Sequence, residues 1–288
     1  MSARADGGGD RSAPVRRALW YVEAHLARDL ALDDVAAVSG VSRFRLARTF
    51  LAVTGMPVMH YQRRRRLTEA ARALAAGAPD ILAVALNWGY GSHEAFTRAF
   101  RAQFGRTPEQ VRREGALGAL ALTETMDVDN EETVALDPPR IVNGEALRIV
   151  GLAERYTFAT IHGIPSLWQR FVPRIETIAH RVGNDTFGVC CAGGDDADLE
   201  YVAAVAVSRF DDVPAGMRRI ELPPRRYAVF VHSGHIADIR RTTRAVWTHG
   251  LAAGGLEPIE APDFERYGDA FDPETGFGTV EIWVAVAG

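Results

Sequence analysis

Two arginines, Arg48 and Arg98, occupy equivalent places in two copies of one sequence pattern. The stretches "SRFRLARTFLAVTG" (42–55) and "SHEAFTRAFRAQFG" (92–105) both read Ser, three residues, a large apolar residue, one residue, Arg, one residue, Phe, four residues and Gly. A guanidinium offers paired donors that suit the edge of a guanine or the oxygens of a phosphate. The repeated arginine therefore predicts contact with nucleic acid. The alternative is a solvated surface charge on each helix.

The last apolar run, "VEIWVAV", places a carboxylate two residues from an indole. In a strand, alternation puts one set of side chains on one face and Glu281, Trp283 and Ala285 on the other. A carboxylate beside aromatic rings can bind an organic cation through charge and cation–π attraction. The alternative is an exposed face on which Glu281 meets water or a nearby arginine. The pattern alone leaves the two alternatives open.

The elements that would position Arg48 and Arg98 are two helix-turn-helix motifs. Each Ser is placed to cap the start of a helix, and each Gly to end it. At about 100° per residue, the buried stripes are Leu46 with Phe50 and Phe96 with Phe100. The opposite face of each second helix would enter the major groove. That face carries Phe44, Arg45 and Arg48 in the first copy and Glu94, Ala95 and Arg98 in the second.

A single long helix is predicted between the motifs, over 57–77, because this stretch begins with Pro, ends with Gly and has helical apolar spacing. It would hold the two second helices in successive major grooves, about 34 Å apart. The run Arg63 to Arg66 has the composition of a phosphate-binding patch. Four successive residues point all around a helix, however, so at most two of them can face DNA.

Residues 14–113 resemble the DNA-binding domain of the AraC/XylS family of bacterial transcription regulators, most specifically in "ILAVALNWGYGSHEAFTRAFRAQFGRTPEQVR". The resemblance implies an all-α domain over 14–114, with double-stranded DNA as a partner and RNA polymerase as a further one. It implies base contacts by Phe44, Ala47, Arg48, His93, Glu94, Ala95 and Arg98, and Arg43 and Arg45 complete the expected DNA-binding set. Ala47, Glu94 and Ala95 stand where other members often carry polar readers, so the bases that are read stay open.

The pattern changes beyond residues 115–136, an acidic and Pro-broken stretch that is predicted to be a linker with little structure of its own. Residues 137–288 read as strand, helix, two strands, then strand, helix, strand. This order predicts an α+β domain with two similar halves. Pro173 is expected to interrupt the first helical run. Residues 1–13 are expected to be a flexible lead-in.

The carboxy-terminal half, from about residue 139, resembles the GyrI-like (gyrase-inhibitor-like) small-molecule-binding domain. The matching stretches are "IPSLWQRF", "LEYVAAVAV", "RRYAVFVHSG" and, most specifically, "FERYGDAFDPETGFGTVEIWVAV". The resemblance implies binding of small, often cationic or lipophilic, molecules between two related halves. It implies that Glu281 is the pocket carboxylate, with Trp168, Phe171, Tyr201 and Trp283 as walls. Core packing is the alternative for Phe171 and Tyr201.

Arginines and acidic residues are distributed unequally between the two halves of the chain. Residues 1–115 hold 18 arginines against 11 acidic residues, whereas residues 116–288 hold 15 against 26. A basic part joined to an acidic part is typical of a chain in which one part meets a polyanion. The prediction is a one-component transcription regulator, acting as a monomer or dimer, that senses a small molecule and needs no cofactor or metal. Activation is expected by analogy with the family.

The competing class is an enzyme, because some GyrI-like proteins resemble hydrolases that open strained rings with a carboxylate and a Tyr. Glu281 and Tyr201 could form such a pair. Against this, the sequence shows no nucleophile–His–acid triad, phosphate loop or metal-ligand spacing. The two cysteines, Cys190 and Cys191, are adjacent, and no apolar run approaches the length of a membrane span. These features favour a cytoplasmic, reduced setting.

Overall fold

The computed structural model describes residues 13–118, 120–126, 128, 134–156, 160–191 and 199–288. Apart from its last residue, the lead-in expected at 1–13 therefore lies outside the described residues. Contacts divide the chain into two compact units, and the short segment Ala47–Gly55 groups with the carboxy-terminal one. Within the described residues, no helix has the length and apolar character needed to cross a bilayer.

The amino-terminal part is helical, as the sequence predicts. Its helices are α1 (Ala13–Ala24), α2 (Leu32–Ser39), α3 (Arg43–Thr54), α4 (Val58–Ala75), α5 (Ile81–Asn87), α6 (His93–Phe104) and α7 (Pro108–Glu114). The pairs α2–α3 and α5–α6 correspond to the two helix-turn-helix motifs, and α4 is the long helix predicted between them.

Local sequence signals define the ends of the second helices. The hydroxyl oxygens of Ser42 and Ser92 each accept a hydrogen bond from the amide three residues on, at 3.3 and 3.2 Å. Gly55 and Gly105 follow the two helices with φ values of 77° and 67°. This left-handed backbone favours glycine, so both predicted helix ends are confirmed.

The predicted buried stripes are also confirmed. Leu46, Phe50, Phe96 and Phe100 have no exposed surface. In α6, the rings of Phe96, Phe100 and Phe104 follow one another edge to face, at 5.4 and 4.7 Å between centroids. This ladder packs α6 against the rest of its motif and leaves the other side of the helix exposed.

The arginine run of α4 has a mainly structural role. Arg65 is buried and forms a bidentate ion pair with Glu23, at 2.8 and 3.0 Å. It forms a second ion pair with Glu69 at 2.9 Å. Arg66 donates to backbone carbonyls just beyond α1. Arg63 is the exposed member of the run. This arrangement agrees with the expectation that at most two of the four arginines can face DNA.

Residues 117, 118 and 120–126, predicted as part of a linker with little structure, pack along α4. Leu117, Leu120 and Leu122 join the apolar core of the second motif. The buried Thr123 donates its amide to the Thr68 hydroxyl at 3.0 Å, and its own hydroxyl accepts from Arg64 at 2.8 Å. These partners lie 55 and 59 positions away in sequence. The local composition of this stretch therefore does not predict its contacts with α4.

The carboxy-terminal part is an antiparallel sheet with helices. Its elements are β1 (Arg140–Gly144), β2 (Leu147–Tyr156), α8 (Ile164–Phe171), β3 (Arg181–Cys191), β4 (Leu199–Val207), β5 (Arg218–Leu222), β6 (Arg225–His235), α9 (Ile239–Ala245), β7 (Asp263–Phe271) and β8 (Phe277–Ala285). A 3-10 turn, Val172–Thr177, follows α8, so the expected interruption at Pro173 is confirmed.

The strand order β1-β6-β8-β7-β3-β4-β2-β5 confirms the two similar halves. The series β2, α8, β3, β4 is repeated as β6, α9, β7, β8. The halves meet where β7 pairs with β3. The sequence pattern alone does not predict β7 as a strand.

The two faces of the sheet carry different cores. On one face, which we call the helix face, α8 packs against strand residues, with Val150, Leu167, Phe171, Tyr201 and Val205 among the buried side chains. The other face, which we call the opposite face, holds Phe187, Val189, Tyr227, Phe264 and Trp283.

Candidate functional site

The exposed side of α6 is polar. His93, Glu94 and Arg98 are exposed and Ala95 is partly exposed. His93 Nε2 lies 3.1 Å from the carboxylate of Glu109, at the start of α7. The face forms a shallow surface hollow lined by His93, Glu94, Thr97, Arg98, Arg101 and Ala102. An accessible arginine on a capped second helix is what major-groove reading requires.

In α3, the residue equivalent to Arg98 has a different environment. The remaining predicted contacts are exposed or partly exposed: Arg43, Phe44, Arg45 and Ala47. Arg43 lies 3.4 Å from Asp33. Arg48, in contrast, is 8% exposed. Within the carboxy-terminal unit, its guanidinium pairs with the carboxylate of Asp263. Arg48 and Arg98 are therefore equivalent in sequence but not in exposure.

A carboxylate lies among aromatic rings on the helix face. Glu265 Oε2 accepts hydrogen bonds from the hydroxyls of Tyr201 and Tyr267, both at 2.7 Å. The Tyr201 oxygen accepts a further bond from Trp168 Nε1 at 3.2 Å. The rings of Trp168 and Tyr267 meet edge to face at 5.2 Å. We call these four residues, which come from α8, β4 and β7, the Glu265 cluster.

The electrostatics of the Glu265 cluster favour a cation. Burial raises the pKa of Glu265, and the hydrogen bonds from Tyr267 and Tyr201 oppose that rise. Burial, together with the neighbouring carboxylate, also raises the pKa of both tyrosines, so their hydroxyls remain protonated donors. Glu265 keeps part of its surface exposed. A partly desolvated carboxylate beside aromatic faces attracts an organic cation more strongly than it would in bulk water.

Glu281, the carboxylate that the family resemblance indicated, already has cationic partners within the protein. Its oxygens lie 2.6 Å from Arg140 and 3.7 Å from Arg266. Trp283 Nε1 donates to it at 2.9 Å. The alternative in which Glu281 meets a nearby arginine therefore describes the structure.

The predicted ligand-binding residues do not form one site. Trp168, Phe171 and Tyr201 belong to the helix face, whereas Trp283 belongs to the opposite face together with its hydrogen-bond partner Glu281. Phe171 is fully buried, 6.0 Å from the Trp168 ring, and acts as core. The pair of Glu281 with Tyr201, considered for a hydrolase, is likewise separated by the sheet.

Sequence reasoning missed Glu265 and Tyr267, although a signal for them existed. In "FERY", Glu265 and Tyr267 are two apart, so a strand would place them on one face. The stretch lies inside the segment that carries the GyrI-like resemblance, but the apolar pattern alone does not predict a strand there. No three His, Cys, Asp or Glu side chains come together as a metal site in the described part of the chain.

Comparisons with known proteins agree with this division of the chain. A helix-turn-helix domain model matches residues 35–114, and the model of the GyrI-like small molecule binding domain matches residues 137–287. Transcriptional regulator Rob of Salmonella typhimurium LT2 is 28% identical over 276 residues, covering 93% of this chain and 94% of that protein. Transcriptional regulator BrlR of Pseudomonas aeruginosa is 37% identical over 132 residues, 46% of this chain and 48% of that protein. Among solved structures, that of SAV2435 bound to tetraphenylphosphonium matches with 22% sequence identity and a TM-score of 0.44. The match covers 53% of this chain and 95% of that one.

The two domain models, with the relatives Rob and BrlR, define a class of protein: a DNA-binding transcription regulator with a small-molecule-binding domain. Within that class, the chain belongs to the GyrI-like family, joined here to an AraC-type helix-turn-helix region.

Proposed function

We propose that this regulator binds promoter DNA through its two helix-turn-helix motifs and senses a small organic cation at the Glu265 cluster. The observation that carries the ligand class is the contact of the Glu265 carboxylate with two tyrosine hydroxyls, beside the Trp168 ring. A cation would gain charge attraction from Glu265 and ring contacts from Trp168 and Tyr267. A neutral ligand would gain only the apolar part.

The choice of Glu265 over Glu281 rests on what already neutralises each carboxylate. Arg140 and Arg266 lie against Glu281, so a bound cation there would have to displace a guanidinium. The hydrogen-bond partners of Glu265 are uncharged hydroxyls. A cation can therefore add a charge pair at Glu265 without breaking one.

The proposed DNA contacts are centred on α6, where Arg98 is exposed on a helix with a capped amino terminus. The excess of arginine over acidic residues in 1–115 supplies attraction to phosphate. The partly exposed residues of α3 would form the second contact. Two motifs in one chain let a monomer occupy a full site, and ligand binding would act by favouring a form with different affinity for DNA or RNA polymerase.

The test is calorimetric titration of the full chain with benzyltrimethylammonium and with neopentylbenzene, in which carbon replaces the charged nitrogen. We expect the cation to bind at least about tenfold more tightly than the neutral analogue, because the charge pair adds about 1.4 kcal/mol or more. Glu265→Gln should remove that preference, while Glu281→Gln, the matched control, should keep it. Equal binding of both compounds by the wild type would overturn the proposal.

Mass spectrometry of the recovered compound separates sensing from chemistry. A reactive cation that is recovered unchanged supports a sensor. Chemical conversion by the wild type, lost in Glu265→Gln, would instead identify the cluster as an active site.

A further inference from the structure

Gly188 lies in β3 between the two strands that supply the hydrogen-bonded groups of the Glu265 cluster. It pairs with Ala203 of β4 on one side and with Glu265 of β7 on the other. The side chains of Tyr201 and Glu265 reach toward each other across β3, and their hydrogen bond passes over position 188.

The space above Gly188 is filled by that hydrogen bond. A Cβ atom at this position would lie 2.0 Å from the Tyr201 hydroxyl oxygen, 2.7 Å from the ring carbon that bears it and 2.6 Å from Glu265 Oε2. All three distances are shorter than real contacts, so any side chain here would displace the tyrosine, the carboxylate or both. Gly188 is not among the residues with positive φ. Close approach, rather than backbone freedom, is the reason for glycine.

We propose that Gly188 is a positioning residue of the ligand site, which lets the Tyr201 hydroxyl reach the Glu265 carboxylate and so sets the strength and pH range of cation binding. This inference rests on the proposed function. Trp168 Nε1 donates to the Tyr201 hydroxyl, which in turn donates to Glu265. The second of these hydrogen bonds requires that residue 188 have no side chain.

Glu265 is the acidic group of this cluster, and burial raises its pKa. The titratable groups facing it are Tyr201, Tyr267 and the Cys190 thiol. Burial raises the pKa of both tyrosines, and it raises that of Cys190 to about 12, so all three stay neutral. Asp263, two residues along β7, is paired with Arg48. Loss of the Tyr201 bond leaves Tyr267 as the remaining donor to Glu265 and makes ionisation of Glu265 harder.

The experiment measures the Kd of benzyltrimethylammonium from pH 5 to pH 9 for the full-length wild type and Gly188→Ala. We expect the pH at which affinity is half lost to move upward by about one unit in the variant, because a hydrogen bond to a charged group corresponds to a shift of that order. Below the wild-type midpoint, this means a Kd about tenfold weaker. Gly268→Ala is the matched control, since its Cβ would meet only the tip of the Asp185 side chain, at 3.1 Å.

Two further variants keep the outcome decisive. Tyr201→Phe removes the same hydrogen bond without adding an atom, so its midpoint should also move upward. In a Tyr201→Ala background the tyrosine contact is already lost and only the contact with Glu265 Oε2 remains, so adding Gly188→Ala should shift the midpoint less than it does in the wild type. A midpoint in Gly188→Ala equal to that of the wild type, or a shift in the Tyr201→Ala background as large as the shift in the wild type, would overturn the inference. A wild type that binds no cation at any pH would instead refute the proposed function.

Discussion

Glu265 and Glu281 lie on neighbouring strands but on opposite faces of the sheet, because Glu265 pairs with Ile282 while Glu281 pairs with Arg266. One residue of register thus decides which carboxylate meets tyrosine hydroxyls and which meets arginines. The two carboxylates are close in the fold and similar in sequence context. Their environments differ enough to give opposite expectations for ligand binding.

Cation affinity should fall at acidic pH. A cation binds the ionised form of Glu265, and burial raises the pKa of this carboxyl above its ordinary value. Affinity is therefore fully present above the raised pKa and is lost as the pH falls through it, by up to about tenfold per pH unit. Calorimetry across the pH range measures this. Glu265→Gln should give weak, pH-independent binding, and an unchanged pH profile in that variant would assign the titration to another group.

Glu281→Gln should have little effect on either ligand affinity or stability. The arginines that pair with Glu281 are 57% and 42% exposed in their side chains, so water screens the charges. We expect a loss of less than about 1 kcal/mol in the free energy of unfolding. Chemical denaturation and cation titration of one sample test both parts. A large loss of cation affinity would return Glu281 to the binding site.

Local signals were sufficient to predict the helical part. The caps at Ser42 and Ser92, the terminal glycines and the buried phenylalanines depend on residues within a few positions of each other, and the structure confirms them. The resemblance of the second half to a known family likewise gave the right fold class and the two halves.

The composition of the ligand site depended on information that the sequence pattern lacks. Alternation places Glu281 and Trp283 on one face of β8, but it does not say on which face α8 packs. That follows from pairing among β3, β4, β7 and β8, whose paired residues are up to 81 positions apart in sequence. The burial of Arg48 and the docking of Thr123 on α4 are non-local in the same way. Each depends on partners that no local period can identify.

Arg65→Ala should strongly destabilise the helical unit. The side chain of Arg65 is 5% exposed and joins two carboxylates, so truncation would remove the cationic partner of Glu23, while Glu69 would keep Arg72 at 2.7 Å. Removing one partner of a buried ion pair costs about 3–5 kcal/mol, and we expect the lower end because both carboxylates retain some exposure. Thermal unfolding followed by circular dichroism measures the loss. Arg63→Ala, in the same run but exposed, should change the melting temperature little.

The same ion pair should make this unit sensitive to acid. Burial raises the pKa of Glu23, but hydrogen bonds from Arg65 and Tyr61 outweigh it and leave the pKa below its ordinary value. The stabilisation is therefore present above the pKa of the unfolded chain and is lost as the pH falls through the folded value. Unfolding curves at pH 7 and pH 3 should show this loss in the wild type. If Glu23→Gln, which lacks the titrating group, lost as much stability over that interval, another carboxylate would be responsible.

Arg98→Ala should reduce binding to a specific operator by about 1–3 kcal/mol, because the exposed guanidinium can bond two acceptors on one guanine. The measurement is fluorescence anisotropy at fixed salt, with an operator selected from random sequence and with unselected DNA. Arg101→Ala, one turn along the same exposed face, is the matched control and should weaken both DNAs about equally. Equal losses on both DNAs for Arg98→Ala would make Arg98 a phosphate contact.

Arg48→Ala should differ from both Arg98→Ala and Arg101→Ala. Because the substitution leaves the Asp263 carboxylate unpaired, its main effect should be a lower melting temperature.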